Sequence, residues 1–365
     1  MDYSLYQQFS AYFPNFSRGI IKNFLLLTQA LLASRSTNLN TVKDRIGTLL
    51  GRADRQPASH YKRLIRFFRC PQAALLTECI QRFTFRLLSG RVDYLILDST
   101  NWEIGEKWVH LQVLCIVYQQ VAIPIFWRDL DHDGHSNSLE RQDLIRDAAQ
   151  LFNLKGKTLL ADREYVGDDW LKYLADLGID FVVRLPIKCY KKQVNNYYSL
   201  ERKALRRKRA VSTPILWEGY EFRLVMKKNP DDCKDEPILY WITSLPNVVT
   251  ATELYRKRWK IEICFKCFKT NGFNLQQMNI KNPLKISLLM AIIVFAYVLC
   301  LLEGLKHRKQ ITTKHYRSGV TGPAQSFFKR GLQEVSARIL DFRRFLKQVK
   351  VWFDARPRVK WRFVQ

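Results

Sequence analysis

The spacing of apolar residues changes once, near residue 90, and this change limits the folds that are open to the chain. Before that point apolar residues recur at helical intervals, as in Ile20–Leu27 and again from Thr41 to Leu50. After it, short and almost continuous apolar runs are typical of buried strands. The sequence therefore predicts an N-terminal helical region followed by a region built on a β-sheet.

Five strands and two helices are predicted in the sheet-forming stretch, and their order narrows the fold class. The predicted elements are strands at 92–97, 108–118 and 121–127, a helix at 138–152, a strand at 158–161, a helix at 168–177 and a strand at 180–185. A hairpin-like connection at 101–107 would join the first two strands. A three-stranded meander followed by helix, strand, helix and strand is the order of an RNase H-like core. We therefore expect an α/β fold with a mixed five-stranded sheet and helices.

Composition divides the chain into five predicted segments. They are an α-helical N-terminal DNA-binding domain (1–90), the first part of the RNase H-like core (91–185), a basic β-rich insertion that interrupts the core (186–250), the second part of the core (251–310), and a basic helical C-terminal tail (311–365). The insertion is marked by the basic run Arg206–Arg209 and by strand-like stretches after it.

The excess of basic residues indicates the class of partner. The chain has 60 Lys and Arg against 33 Asp and Glu, a formal net charge of +27, so a polyanion is expected and nucleic acid comes first. Residues 1–90 carry 13 Lys and Arg against 4 Asp and Glu. Within them, residues 40–64 resemble a helix–turn–helix pair that could set a basic helix in a DNA groove. A solvated basic face on a helical cap is the alternative.

Two features bear on the compartment. The eight cysteines are scattered along a long chain, which is typical of reduced intracellular thiols, and the first residues show no secretory signal. The apolar stretch Ile286–Leu302 has 17 residues, at the lower limit for a membrane span of about 20 residues. Its basic, soluble flanks favour a buried helix, so we expect no membrane partner.

Two aspartates follow predicted strands directly. Asp98 comes after strand 92–97, and Asp162 comes after strand 158–161. Side chains at the carboxyl ends of neighbouring strands converge on a crevice, and carboxylate oxygens are the ligands that Mg²⁺ prefers. Aspartates at strand ends are also common turn residues, so these two alone give weak evidence for catalysis.

A long helix is predicted from Thr252, and it carries a polar row. Tyr255, Arg258, Glu262 and Lys269 are three, four and seven residues apart, so they share one narrow stripe of the helix surface. A neighbouring apolar stripe would pack on the sheet. An i,i+4 ion pair between Arg258 and Glu262 on a solvated surface is the simpler interpretation. It does not explain why Glu262 supplies a third carboxylate where an RNase H-like core would hold one.

These residues carry a family resemblance. The pattern Tyr255-x2-Arg258-x3-Glu262-x6-Lys269 resembles, without gaps, the Y-R-E-K signature of bacterial insertion-sequence DDE transposases of the IS-four family. The segments Leu97–Thr100 and Asp162–Tyr165 resemble the two aspartate motifs of that family. The resemblance covers about residues 38 to 300.

The resemblance implies a metal-dependent reaction on DNA. Asp98, Asp162 and Glu262 would be the catalytic residues and would ligate two Mg²⁺ ions, for which Mn²⁺ would substitute. Relatives cut a strand at the end of the element, form a hairpin by attack of the freed 3′-hydroxyl, open it and join the end to target DNA. The implied partners are double-stranded transposon ends and target DNA, held by a homodimer in the DNA complex. The implied location is the bacterial cytoplasm, at the nucleoid.

The resemblance also implies DNA contacts. Tyr255, Arg258 and Lys269 would hold the 5′ phosphate of the opposite strand, and Arg163 would contact DNA beside the second aspartate. Hairpin formation in relatives extrudes a base against an aromatic side chain. Trp241 is the candidate for that role and Tyr240 the second, although a plain core tryptophan is also consistent with the sequence.

Two other motifs suggest metals. The segment from Asp129 to Glu140 fits the EF-hand loop pattern, but a strand is predicted before it and no second loop follows, so a polar turn is favoured over calcium. Cys264 and Cys267 form a CxxC motif without a second ligand pair at zinc spacing, which indicates packing.

Two alternative functions remain open at this point. One is a metal-dependent nuclease of the same fold that cuts without joining, whose activity Arg258→Ala would spare. The other is a domesticated, non-catalytic DNA-binding protein, which would tolerate amide replacements of Asp98, Asp162 and Glu262.

Overall fold

The computed structural model describes residues 3–52, 56–88, 90–190, 198–207, 209–231, 233–315, 321–338 and 341–354. Its contacts divide the chain into a sheet unit, residues 91–101 and 109–264, and a helical unit, which combines the residues up to 90 with 102–108 and those from 265 onward. Residues 355–365, at the end of the predicted basic tail, lie outside the described residues.

The helices are α1 (Tyr3–Ser10), α2 (Arg18–Ser34), α3 (Leu39–Leu49), α4 (Pro57–Phe68), α5 (Ala73–Phe85), α6 (Ser138–Leu151), α7 (Asp168–Asp176), α8 (Tyr198–Arg206), α9 (Val248–Tyr255), α10 (Lys260–Lys266), α11 (Pro283–Lys306), α12 (Phe327–Arg338) and α13 (Phe342–Asp354). The strands are β1 (Tyr94–Ile104), β2 (Lys107–Tyr118), β3 (Val121–Asp129), β4 (Thr158–Ala161), β5 (Asp180–Arg184), β6 (Val211–Trp217), β7 (Tyr220–Lys228), β8 (Ile238–Thr243), β9 (Thr313–His315) and β10 (Thr321–Pro323).

The sheet unit is built on one mixed sheet of eight strands, in the order β3-β2-β1-β4-β5-β8-β7-β6. All five strands predicted between 92 and 185 form, and they are contiguous in this order. Strands β1, β4 and β5 run parallel, whereas β3 pairs antiparallel with β2. The predicted α/β class is confirmed in this mixed sheet with helices.

The sheet has eight strands, whereas five are predicted, because the strand-like stretches of the predicted β-rich insertion form β6, β7 and β8 and join it. Strand β8 pairs antiparallel with β5 from Val182↔Thr243 to Arg184↔Trp241, and β7 and β6 extend the same sheet. An unpaired β5 would leave its backbone N–H and C=O groups without partners at an apolar edge, and β8 satisfies them.

Strand β1 runs beyond its predicted end at Leu97. It continues to Ile104, so the predicted connection over 101–107 shrinks to the turn at Gly105–Glu106, where Gly105 has a φ of 61°. The side chains of Trp102 and Ile104 are buried, whereas Asn101 and Glu103 are exposed. This alternation is the period of a strand with one covered face, which explains the extension.

The helical unit is organised around α11. Ile286 and residues 288 to 304 of this helix are buried, and α11 packs against α2, α5 and α12. The helix is long and apolar enough to cross a membrane, but 94% of its most apolar window is buried inside the protein. It is thus the buried helix that the sequence predicts, since a helix apolar on all sides can be covered by neighbouring helices.

The C-terminal helices join this unit through a buried carboxylate. Glu303 of α11 is 1% exposed and accepts hydrogen bonds from Trp352 Nε1 (2.9 Å) and Lys306 Nζ (3.0 Å), and it pairs with Arg338. Burial alone would raise the pKa of Glu303, but the hydrogen bonds from Trp352 and Lys306 hold it below its ordinary value. Much of the segment predicted as a tail is therefore packed structure.

Helices α11 and α12 touch backbone to backbone at two glycines. A Cβ added to Gly331 would lie 1.7 Å from the carbonyl oxygen of Cys300, and one added to Gly304 would lie 1.9 Å from that of Phe327. Atoms cannot approach so closely, so only glycine permits this helix spacing at either position.

Gly331→Ala is expected to destabilise the helical unit by about 3 kcal/mol, because the added methyl group must push α11 and α12 apart. The shift in urea midpoint measures this effect. Gly19→Ala is the matched control: its new methyl group would meet only Ser17 Oγ, at 3.7 Å, so stability should be unchanged or slightly higher. Equal effects of the two substitutions would contradict the packing argument.

Candidate active site

The two aspartates follow the last paired residues of adjacent parallel strands. Pairing of β1 with β4 ends at Leu97↔Ala161, and Asp98 and Asp162 come directly after this pair. Neighbouring strands lie about 4.8 Å apart, so the register brings the two carboxylates side by side. Asp98 is held by a hydrogen bond from the Ser99 backbone N–H (2.9 Å) to its Oδ1.

Asp162 begins a short 3₁₀ turn at Arg163–Tyr165. Its Oδ1 accepts a hydrogen bond from the Arg163 backbone N–H at 2.8 Å, which fixes the carboxylate at the start of the turn. The side chain of Arg163 itself is exposed.

The predicted long helix exists as a chain of different helical segments. It begins at Val248, four residues earlier than predicted, because Asn247 caps it by accepting a hydrogen bond from Thr250 N–H at 3.2 Å. After α9 comes a 3₁₀ turn at Arg256–Trp259, and then α10. Interruptions of this kind inside helices often occur at functional sites.

Arg258, in the 3₁₀ turn, contacts all three predicted acids. Its Nη1 lies 3.1 Å from Asp98 Oδ2, and its Nη2 lies 2.7 Å from Glu262 Oε1 and 3.8 Å from Asp162 Oδ2. One guanidinium, with a side chain only 13% exposed, therefore gathers three carboxylates from distant parts of the sequence. The predicted convergence of Asp98, Asp162 and Glu262 is present in the structure.

Tyr255 supports the second aspartate from the other side. Its hydroxyl donates a hydrogen bond to Asp162 Oδ1 at 3.2 Å, and burial raises the pKa of Tyr255, which keeps the hydroxyl protonated as a donor. The Tyr255 ring packs edge to face on Trp241, with ring centroids 5.7 Å apart, and the Arg184 guanidinium lies over the Trp241 ring at 5.4 Å.

Trp241 is covered in this arrangement. It is 4% exposed, lies in β8, and has no hydrogen-bond partner for Nε1 among the described residues. The core-tryptophan alternative therefore describes its present position, and its role toward a flipped base stays a prediction. Trp259, which follows Arg258, is 60% exposed, and sequence reasoning did not single it out.

Arg141 is a second residue whose importance is visible only in the fold. It is buried on α6, where its Nε donates to Ser136 Oγ (2.9 Å), its Nη1 donates to the Val166 carbonyl (3.4 Å), and its guanidinium lies 5.1 Å from the centre of the Tyr165 ring. These contacts fix the turn that starts at Asp162. The sequence places Arg141 in the predicted helix 138–152, but nothing there indicates which turn it holds.

Burial controls the charge of Asp98. Desolvation raises the pKa of Asp98 to about 6; Arg258 and the Ser99 N–H oppose the shift, and the carboxylates of Glu164 and Asp162 add to it. Burial alone would lower the pKa of Arg258, but the groups around it raise it above its ordinary value. Glu164 thus adds a fourth acidic group near the site, held by His135 Nδ1 at 2.7 Å.

Lys269 belongs to the helical unit, whereas the other predicted site residues belong to the sheet unit. It lies in a π-helical turn at Cys267–Asn271, and burial lowers the pKa of its ammonium group.

The three acids fit a divalent cation by their chemistry. They supply only carboxylate oxygens, the donors that Mg²⁺ prefers. Over the described residues no three His, Cys, Asp or Glu side chains are already grouped as a metal site. Arg258 pairs with all three carboxylates, so a metal ion shared by Asp98, Asp162 and Glu262 would compete with its guanidinium for their oxygens.

The EF-hand-like segment and the CxxC motif have structural roles. Asp129, at the end of β3, accepts hydrogen bonds from the backbone N–H groups of His110 and Asp131. Glu140 forms a capping box with Asn137 at the start of α6. A strand enters this loop, where an EF-hand requires a helix. Cys264 and Cys267 are buried thiols, in agreement with packing.

Asp98→Asn is expected to raise the unfolding temperature at pH 7.5 in EDTA. Because the folded state binds the Asp98 proton more tightly than the unfolded state does, this group favours folding most below about pH 4 and loses that contribution as the pH rises through 6. At pH 7.5 the charged Asp98 carboxylate costs up to about 3 kcal/mol of folding free energy, and the neutral amide removes this cost. The gain should shrink toward zero near pH 4, and a lower unfolding temperature at pH 7.5 would contradict the assignment.

Solved structures include chains that this chain is similar to. The chain is similar to a solved chain, from the structure described as the piggyBac transposase synaptic complex with hairpin DNA, at 11% sequence identity and a TM-score of 0.44; the match covers 94% of this chain and 74% of that one. No curated protein matches the sequence.

A family model gives the identification. The model described as the transposase DDE domain matches residues 93–299, which is more than half of the chain and includes Asp98, Asp162 and Glu262. The chain belongs to the family of transposase DDE domains.

Proposed function

We propose that this protein is an insertion-sequence transposase of the IS-four kind, which cuts the ends of its element and joins them to target DNA. The observation that carries the proposal is the convergence of Asp98, Asp162 and Glu262 on Arg258, where the pairing of β1 with β4 ends. Three acids gathered by one cation, in a protein with a net charge of +27, suit chemistry on a polyanionic substrate.

The proposed core is RNase H-like. Support comes from the contiguous order β3-β2-β1-β4-β5, with a meander of three strands leading into parallel β4 and β5. In this arrangement Asp98 and Asp162 come directly after the last residues that pair β1 with β4, and Glu262 comes from α10. Strands β6 to β8 are an extension of the same sheet.

The proposed cofactor is a pair of Mg²⁺ ions, with Mn²⁺ as a substitute, held by Asp98, Asp162 and Glu262. When bound, two such ions activate the attacking oxygen and stabilise the leaving oxygen of a phosphodiester. In the cutting step water attacks phosphorus and the strand leaves as a 3′-hydroxyl; in the joining step that hydroxyl attacks, and one P–O bond replaces another. A hairpin intermediate is part of the proposal.

The Y-R-E-K residues have distinct proposed tasks. Arg258 neutralises the acids before metal binds and then turns to a DNA phosphate, for which its planar fork is suited. Tyr255 orients Asp162 and donates to phosphate, and Lys269 supplies a further charge. Arg163, which is exposed, contacts DNA next to Asp162 in this proposal.

The exposed ring of Trp259 is the better candidate to stack on a base that leaves the duplex. Trp241 acts in this proposal through Tyr255, against which it packs. The DNA complex is proposed to be a homodimer in the bacterial cytoplasm, at the nucleoid.

Asp98→Asn, Asp162→Asn and Glu262→Gln should each abolish cleavage of DNA carrying the element's own ends, because each removes a charged oxygen ligand. A decrease of at least about a thousandfold is expected, while DNA binding in EDTA persists. Cleavage in Mg²⁺ is read on denaturing gels. Asp176→Asn, on α7 and hydrogen-bonded to Tyr220, is the matched control and should cut normally.

Product analysis separates the alternatives. Hairpin-ended and joined products support transposition, whereas cut ends alone would indicate a nuclease of the same fold. Retained function in all three amide variants would indicate a non-catalytic DNA-binding protein. Arg258→Ala does not separate a transposase from a nuclease as the sequence suggested, because Arg258 contacts the acids themselves.

Arg258→Ala should instead tighten binding of Mn²⁺ by about tenfold, since it removes a cation that competes for the same carboxylates. Titration calorimetry at pH 7.5 measures the affinity, and joining of DNA should decline in the same variant. Arg256→Ala, in the same turn but exposed, is the control. Weaker Mn²⁺ binding in Arg258→Ala would show that the arginine organises the acids and does not compete for them.

A further inference from the structure

A cavity in the helical unit is lined by basic side chains. It has a volume of about 340 Å³ and lies between the first turns of α2 and the face of α4. Its charged lining is Lys22, Arg63 and Arg66, and its remaining lining is Gly19, Ile20, Asn23 and Phe67.

The positive charges around this cavity are concentrated. Burial lowers the pKa of Lys22, and the positive charges of Arg63, Arg52 and Arg18 lower it further. At least four cationic side chains therefore lie close enough to repel one another. Like charges held together in a concave site attract an anion, since the apolar atoms of Ile20 and Phe67 reduce the local screening by water.

The acidic residues described in the N-terminal ninety pair elsewhere. Asp44 lies 3.6 Å from Lys43, and Glu78 pairs with Arg82 at 2.9 Å. Neither carboxylate lines the cavity, so the charge of the lining is positive.

The backbone adds a smaller contribution of the same sign. Helix α2 has 17 residues and begins at the cavity, with Ser17 as its N-cap. The positive end of its dipole therefore faces the space beside Gly19, where the nearest atom to an added Cβ would be Ser17 Oγ at 3.7 Å. Backbone thus remains accessible to an anion beside the cationic side chains.

We propose that this cavity binds backbone phosphate groups of duplex DNA, with Arg63 and Arg66 as forked donors and Lys22 as a point charge. The basic residues Arg18 and Arg52 are exposed and extend the positive surface beyond the cavity, which suits a chain of phosphates better than a single ion. Naming DNA as the source of phosphate depends on the proposed function.

Helix α4 and its C-cap present two sets of basic residues, and this permits a matched comparison. Arg63 and Arg66 line the cavity, whereas Lys62 and Arg69 do not. Arg66, Lys62 and Arg69 are all exposed, so the two sets differ chiefly in their position relative to the cavity. The double variants Arg63→Gln with Arg66→Gln, and Lys62→Gln with Arg69→Gln, each remove two charges from one region of the surface. Unchanged circular dichroism and unfolding temperature confirm that both are folded.

Fluorescence anisotropy with a labelled duplex, in EDTA and at several salt concentrations, measures DNA affinity of the full chain. The cavity variant should bind about tenfold more weakly, and the slope of its log Kd against log salt should fall by about two, because two phosphates are no longer neutralised. The Lys62/Arg69 variant should change affinity by no more than about twofold. Equally weakened binding in both variants, or unchanged binding in the cavity variant, would overturn the proposal.

A second arm distinguishes the source of the phosphate. If inorganic phosphate, at constant ionic strength, binds the wild type tightly in calorimetry while the cavity variant keeps full DNA affinity, the site serves a free anion and the DNA assignment is overturned. Cleavage by the wild-type protein is assayed separately. A protein that binds DNA through the cavity but never cuts it would refute the proposed function and leave this inference intact.

Discussion

The contact of one guanidinium with three carboxylates is the constraint on which the site depends. Arg258 lies within 3.8 Å of acids that come from two parallel strands and from its own helix. Three anions brought together without a cation would repel strongly, and Asp98 is already buried enough to have a pKa of about 6. Arg258 therefore allows the three carboxylates to come together before any metal ion binds. Their proposed role is to hold metal ions.

The rest of the sheet unit can be understood as support for this cluster. The parallel register of β1 and β4 places two of the acids, the Arg141 contacts fix the turn after Asp162, and Tyr255 restrains the carboxylate of Asp162 through its hydroxyl. Trp241 packs on the Tyr255 ring and is itself held under Arg184. Restraint of this kind lowers the reorganisation required when substrate arrives.

The helical unit follows a different principle. Its stability depends on an apolar helix, α11, that other helices surround, and on two glycines that let α12 approach backbone to backbone. Its charge lies outside this core: the same unit that buries α11 presents a basic cavity on α2 and α4. The apolar packing and the basic cavity thus involve different faces of its helices, so the lining charges of the cavity lie outside the apolar core.

The sequence by itself determined the local structure and the identity of the acids. Apolar runs located five strands, and strand ends and helical spacing singled out Asp98, Asp162 and Glu262, because the period of a segment depends only on neighbouring residues. Tertiary structure decided what those segments meet. The pairing of β8 with β5, the burial of Trp241, and the position of Arg258 against an aspartate 160 residues away depend on contacts between distant segments. The i,i+4 spacing of Arg258 and Glu262 predicts their ion pair, but only the folded chain brings Asp98 to the same guanidinium.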